Sequence, residues 1–231
     1  SINQLKSLKD IIKIISRNYL PAIFIIIKYF YNFFKMPKVF SPKDKYFGEI
    51  TFFSYFFNID IDKISKGIFH SNQWNILPNL ASKNSKSLNW FHLFVPSPKV
   101  SHQNKAIKYI NNLNKTKNNQ DSHSLLESSI DLKILFSISF LFLKNMLFKN
   151  KNKKNIYSKI SYHNKSYLWP LFQISWEKSL FGSVYVNNLA YIFCLKKILS
   201  EIPYQKKGIY LLENKGWERA LVYYWKKNKH G

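Results

Sequence analysis

The sequence predicts a helix-rich α/β protein with a mostly parallel sheet. Two segments read as a strand followed closely by a helix: the apolar run 88–96 precedes the helical pattern 100–115, and the short strand 208–212 precedes "GWERALVYYWKKN" (216–228). Parallel strands need a long crossover connection, usually a helix, so this alternation favours strand–helix–strand units. In addition, 46% of the 231 residues are hydrophobic, which is enough to fill a core.

The first 45 residues are predicted to form apolar, basic helices ahead of the sheet domain, which takes up 46–231. Residues 2–19 repeat apolar side chains at helical spacing, with most basic residues off that stripe. Pro21 is expected to break or restart the helix, and a second apolar helix is expected to run to about Phe34. Two prolines then predict a connector that ends near residue 45.

The first strand is predicted within 46–60, which is rich in aromatic and β-branched residues and ends in a turn that begins at Asn58. Residues 68–80 are expected to be irregular and then helical, with the helix stopped near Pro78. The polar stretch 116–124 predicts a loop.

The central part of the chain is predicted to be mostly helical. Residues 125–148 form one or two apolar helices, and 166–200 are helical for most of their length. Between them "KNKNKKN" (149–155) predicts a charged, flexible linker and the clearest internal boundary.

The charge of the chain is strongly positive, with 36 Lys and Arg against 12 Asp and Glu and a net charge of +24. Three explanations stay open: a solvated surface whose lysines reflect the codon bias of an AT-rich genome, attraction to an anionic membrane, and attraction to nucleic acid. Only Arg17 and Arg219 are arginines. Proteins that read nucleic-acid sequence depend on the bidentate guanidinium, so this scarcity argues against that class.

The single cysteine, Cys194, cannot form an intrachain disulfide, which favours a reducing compartment and an inert thiol among apolar neighbours. The apolar runs 19–34 and 134–148 are interrupted by Lys and Asn and are predicted to be buried or interfacial helices rather than spanning ones. The chain starts at Ser1 and stops directly after a helical pattern, so we expect a fragment whose C-terminal part is missing.

Several kinds of catalytic site find no support. The six histidines lack metal-ligand spacing, and the phosphate-binding glycine loops and the serine-hydrolase elbow are absent from the sequence. We therefore expect no metal and no bound cofactor.

The segment after the last strand is the strongest candidate site. Glu213 lies just past the carboxyl end of strand 208–212, where open α/β sheets bind ligands. Trp217 and Glu218 open the following helix. A structural explanation remains open for both of them, namely a core tryptophan and an ordinary first-turn carboxylate, with Asn214 as the helix cap.

Two further clusters mix aromatic and polar side chains. Trp74 lies in "HSNQWNILP" (70–78) and His92 in "LNWFHLF" (88–94). Such side chains can hydrogen-bond and stack on sugars or bases, or they can fill the edge of the sheet.

The segments "FHSNQWNILPNL", "LNWFHLFVPSP", "LWPLFQISWEKSLFGS" and "GIYLLENKGWERALVYYWKKNKHG" resemble a family of bacterial surface-carbohydrate biosynthesis proteins from O-antigen and capsule loci. The resemblance covers roughly 46–231. It is strongest at Glu213-Asn214, at 217–221 and at His230-Gly231. Lys215 departs from the Gln that is more usual in the family.

The resemblance implies a glycosyltransferase of the GT-B type, built from two facing Rossmann-like domains. This chain would be the N-terminal, acceptor-side domain, inactive alone, and the donor-binding domain would be missing. The partners implied are a nucleotide-sugar donor as co-substrate and a lipid-linked or glycan acceptor, with no nucleic acid. The expected location is the cytoplasm, at the anionic inner face of the plasma membrane.

Glycosyl transfer assigns roles to the candidate residues. Glu213 would be the base that takes the acceptor proton. Asn214 and Trp217 would orient the acceptor sugar, and Arg219 would pair with a phosphate. Glu218, together with Trp74 and His92, completes the predicted substrate-binding set. The alternative is a non-enzymatic, membrane- or RNA-associated basic protein of an AT-rich genome, such as an organellar ribosomal component.

Overall fold

A computed structural model describes residues 12–13, 15–35, 48–85, 87–115, 121–148, 158 and 169–231, with side chains in the last range described from residue 175. The chain divides into two compact units, 1–35 with 131–190, and 36–130 with 191–231. In the first unit, helices of the central region pack with the N-terminal helix. The predicted boundary at residue 45 lies outside the described residues. Most of the predicted helix 2–19 and the predicted linker 149–155 lie outside the described residues.

In chain order the helices and strands are α1 (Leu20–Lys35), β1 (Ile50–Phe56), α2 (Ile61–Ser65), α3 (Leu77–Ser82), β2 (Leu88–Phe94), α4 (Gln103–Lys115), β3 (Ser122–Leu125), α5 (Leu132–Leu147), α6 (Trp169–Phe181), α7 (Ser183–Glu201), β4 (Lys207–Tyr210) and α8 (Gly216–Lys227). A π-helical turn, Ile15–Tyr19, runs into α1, and a 3₁₀ turn, Leu126–Ser129, follows β3. Within the described ranges, none of the helices combines the length and the apolar character needed to cross a membrane.

The first unit is helical and contains an ion pair whose carboxylate is buried. Arg17 pairs with the Glu177 carboxylate on α6, whose side chain is 2% exposed. Asn18 donates to the same carboxylate oxygen at 3.3 Å. Tyr29 on α1 donates to Asn187 Oδ1 on α7 at 2.9 Å. Because a buried carboxylate needs partners, these contacts fix how the N-terminal segment packs on α6 and α7.

The second unit is built on a parallel sheet, as the sequence predicts. Among the described residues the sheet has four strands in the order β3-β2-β1-β4. β1 pairs with β2 along its whole length, from Ile50 opposite Leu88 to Phe56 opposite Phe94, and with β4 on its other side. The chain thus moves outward from β1 to β2 and β3 and then returns to the far side of β1, so the strand order reverses between β1 and β4.

Helices cover both faces of this sheet. Alternate residues of a strand point to opposite faces, so Phe53 of β1 packs with Leu195 of α7 and Leu221 of α8, whereas Phe56 packs with Ile107 of α4. All seven residues of β2 are buried, as are six of the seven of β1. Burial on both faces explains why these two strands are near-continuous apolar runs in the sequence.

Three local predictions need correction. β3 replaces the last three residues of the predicted loop 116–124 and the first residue of the predicted helix 125–148. Its sequence "SHSL" is short and mostly polar, so it was not predicted as a strand, although all four residues are buried. Pro78 sits in the first turn of α3 and does not stop the helix there, since a missing N–H is tolerated at that position. The apolar helix predicted from 125 starts only at Leu132, where Asp131 caps it by accepting from Ile134 N at 2.8 Å.

The closing His230-Gly231 folds back onto the amino-terminal side of the sheet. His230 Nδ1 accepts from Gln205 N at 3.2 Å, its Nε2 lies 3.0 Å from Leu199 O, and Gly231 N donates to Gln205 O at 2.8 Å. The Gln205 side chain in turn accepts from Thr51 Oγ1 on β1 at 2.7 Å. This dipeptide therefore has a structural role in the sheet unit.

Candidate active site at the carboxyl edge of the sheet

The carboxyl edge between β1 and β4 is where this topology favours a ligand. Open parallel sheets bind ligands outside the carboxyl ends of their strands, at the point where the strand order reverses. Here β1 ends at Phe56 and β4 at Tyr210. The segment 211–215, between β4 and α8, brings Glu213 to this edge.

Glu213 is an exposed carboxylate that Tyr55 holds in place. Tyr55, near the carboxyl end of β1, donates its hydroxyl to Glu213 Oε2 at 3.0 Å. Burial, and then this hydrogen bond, raises the pKa of Tyr55 to about 12, so its phenol stays protonated at neutral pH and acts as a donor. Within the described residues Glu213 Oε1 has no hydrogen-bond partner, which leaves it available to a ligand.

Glu218 shapes the turn that presents Glu213. Its Oε1 accepts from Glu213 N at 2.9 Å and from Lys215 N at 3.1 Å, while the residue is only 3% exposed. Asn214 adopts the left-handed conformation, with φ of 58°, which Asn tolerates better than most residues. The helix cap is Lys215, not Asn214 as considered from the sequence, and the carboxylate at the third helical position supplies the bond to the cap N–H.

Trp217 packs beneath this turn. It is 3% exposed, and its ring meets Tyr55 edge-on at 6.2 Å and Tyr210 at 6.4 Å between centroids. A hydrogen bond from Trp217 lowers the pKa of Tyr55, opposing the larger effect of burial. The indole therefore positions the Tyr55 ring and has no exposed face on which a sugar would stack.

A second tyrosine–carboxylate pair lies on the same side of the sheet, in residues that the sequence did not single out. Glu127, in the 3₁₀ turn after β3, accepts from Phe94 N at the end of β2 at 3.0 Å. Burial, and then the Glu127 charge, raises the pKa of Tyr191. Glu127 could have been found from its position just past the end of a strand. It was not found from the sequence because most of β3 was predicted as a loop.

Two predicted site residues lie on the opposite face of the sheet. Trp74 is buried and donates from its indole to Ser54 Oγ at 2.7 Å. His92 is fully buried among aromatic rings, and its Nε2 lies 3.2 Å from His123 Nδ1. Burial lowers the pKa of His92 to about 3, so its imidazole is neutral at physiological pH. Both side chains fill the core, the structural alternative that the sequence left open.

The remaining predicted residues are exposed at the carboxyl edge or close to it. Asn214 flanks Glu213, and Arg219 lies in the first turn of α8. In the part of the chain that the structure describes, no group of three or more His, Cys, Asp or Glu side chains is arranged to hold a metal ion. Comparison with known protein families, characterised proteins and solved structures gives no match. The site itself must therefore support a functional assignment.

Proposed function

We propose that this chain is the acceptor-side, Rossmann-like half of a GT-B-type glycosyltransferase in surface carbohydrate biosynthesis, with Glu213 as its general base. The observation that supports the proposal is the exposed Glu213 carboxylate at the reversal of the strand order, oriented by Tyr55. The sequence resemblance supplies the class of chemistry. The co-substrate would be a nucleotide sugar, and the acceptor a glycan or a lipid-linked saccharide.

The geometry suits proton removal. In an inverting transfer, an acceptor hydroxyl attacks the anomeric carbon while the bond from that carbon to the nucleotide diphosphate breaks. Glu213 Oε1 would take the hydroxyl proton as the new glycosidic bond forms. Tyr55 holds Oε2, and because its pKa is about 12 it does not compete for that proton. Arg219 would pair with a phosphate of the donor or acceptor.

The test is sugar transfer by the protein at its full natural length. Wild type would be assayed against a panel of nucleotide sugars by release of the nucleoside diphosphate, beside Glu213→Gln and Tyr55→Phe. Loss of a general base is expected to lower kcat about 100-fold or more for Glu213→Gln. Tyr55→Phe keeps the base but removes the hydrogen bond that orients it, so its kcat is expected to fall by a smaller factor.

Glu201→Gln is the matched control, because Glu201 is an exposed carboxylate at the end of α7, away from the loop that carries Glu213. Circular dichroism would establish that every variant folds. If Glu213→Gln kept full activity, the assignment of the base would be wrong.

The net charge of +24 favours one competing function, a basic RNA-associated protein. The chain has 36 Lys and Arg but only 12 Asp and Glu, so most of its positive charge has no carboxylate that could neutralise it. Tight ribosomal RNA binding with a steep salt dependence, and no sugar transfer, would favour that function.

A further inference from the structure

The helical unit carries two exposed apolar stripes. On α1 the stripe consists of Leu20, Ile23, Phe24, Ile27, Tyr31 and Phe34, with Phe24 67% exposed. On α5 it consists of Leu132, Phe136, Phe140, Leu143 and Leu147, with Leu147 84% exposed. Steps of three and four residues place each set on a single side of its helix.

The two stripes adjoin. Phe30 meets Phe136 edge-on, with ring centroids 6.1 Å apart. Phe30 lies three residues after Ile27 and four before Phe34, so it neighbours the α1 stripe on the helix surface. We call the combined surface the α1–α5 apolar face. Soluble monomers seldom expose a continuous apolar surface built from so many large side chains.

Lysines border this face. Lys28 lies four residues after Phe24, Lys35 four after Tyr31, and Lys144 four after Phe140, and all three are exposed. Neither helix contains an acidic residue. The opposite sides are buried in the protein, through residues such as Tyr29 and Phe142. Each helix thus has one side fixed in the fold and another that is apolar with a positive margin.

We propose that the α1–α5 apolar face lies on an anionic membrane surface, with its apolar side chains at the boundary of the acyl chains and its lysines at lipid phosphates. Such a pattern is the mark of interfacial helices. Lysine stems extend along an apolar surface while their ammonium groups reach the headgroups. A second copy of the chain fits less well, because two such faces would bring like charges together with no carboxylate on either helix. The proposal does not depend on sugar transfer.

Flotation with vesicles tests it, using the whole chain. The probes are vesicles of phosphatidylcholine alone and of phosphatidylcholine with one-third phosphatidylglycerol. Wild type is expected to float with the anionic vesicles. The Phe24→Gln/Phe140→Gln variant is expected to lose at least about tenfold in partitioning. The Lys28→Gln/Lys144→Gln variant is expected to lose about fivefold per lysine at low salt, and less at high salt.

Matched controls change the same residue types elsewhere. Ile68 and Ile76 are exposed apolar residues of the sheet unit, and Lys105 and Lys108 are exposed on α4. Ile68→Gln/Ile76→Gln is expected to bind vesicles as wild type does, and Lys105→Gln/Lys108→Gln to bind more strongly than the α1–α5 lysine variant.

Three results would overturn the proposal. The first is equal vesicle binding by wild type and the Phe24→Gln/Phe140→Gln variant. The second is wild-type binding that is as strong to neutral as to anionic vesicles. The third is a wild-type protein that is a dimer by light scattering and does not bind vesicles, together with a monomeric Phe24→Gln/Phe140→Gln variant. The α1–α5 apolar face would then join two copies of the chain. None of these readouts involves Glu213, so the membrane proposal and the proposed transferase can fail separately.

Discussion

Acidification is expected to destabilise the sheet unit through His92. The side chain is fully buried on β2, with Phe56 and Phe69 at centroid distances of 5.3 and 4.9 Å and His123 within hydrogen-bond distance. Burial lowers its pKa to about 3, whereas an exposed histidine titrates near 6.5. The unfolded chain therefore binds a proton at this position between those two values, and the folded protein does not.

The direction and size of the effect follow from proton linkage. The stability that depends on a neutral His92 is complete above pH 6.5 and is lost progressively as the pH falls toward 3. Between pH 6.5 and pH 5 the loss is about 1.4 kcal/mol for each pH unit, or roughly 2 kcal/mol in the free energy of unfolding.

Urea unfolding at pH 7 and pH 5, followed by tryptophan fluorescence, measures this loss. His92→Gln cannot take up the proton, so its drop in unfolding free energy between the two pH values should be smaller than that of wild type by roughly 2 kcal/mol. The comparison is made within each variant, so the packing lost in His92→Gln does not enter. His102→Gln is the matched control, since His102 is exposed before α4. If His92→Gln and wild type lost the same stability on acidification, the burial argument would be refuted.

Three further variants test the packing, each by chemical denaturation. Trp217→Ala is expected to lose about 3–5 kcal/mol, because it empties a buried site under the candidate active-site turn, whereas Trp217→Phe should lose less. Arg17→Met is expected to cost about 3 kcal/mol, since it breaks the ion pair of Arg17 with the buried Glu177 carboxylate, and adding Glu177→Gln should recover part of that loss. Gly208→Ala is expected to cost about 1–3 kcal/mol, because a Cβ there would lie 2.9 Å from the Trp225 ring.

Each of these variants has a result that would contradict the structure. A Trp217→Ala loss below about 1 kcal/mol would mean that the ring is not in the core. Additive effects of the Arg17 and Glu177 changes would mean that the two side chains do not interact. An unchanged Gly208→Ala protein would mean that Trp225 does not cover β4.

The sequence alone was enough to predict those strands and helices whose pattern of apolar and polar residues matches the way they are buried. β1 and β2 are buried on both faces, so their residues form apolar runs that stand out from polar surroundings. The strand and helix on either side of Glu213 could also be predicted from the sequence, because a strand end, a turn and an amphipathic helix follow one another within a few residues.

Only the tertiary structure decided the rest. β3 is polar in sequence, and it is a strand because β2 pairs with it and the fold buries it. Tyr55 and Glu213 are 158 residues apart, and they meet because β4 pairs beside β1. The same packing distinguishes the two carboxylates near α8: the buried Glu218 accepts from two backbone N–H groups, whereas the exposed Glu213 accepts from the Tyr55 hydroxyl. Local sequence records which side chains tend to be buried, but strand pairing, a long-range property, selects which of them share a site.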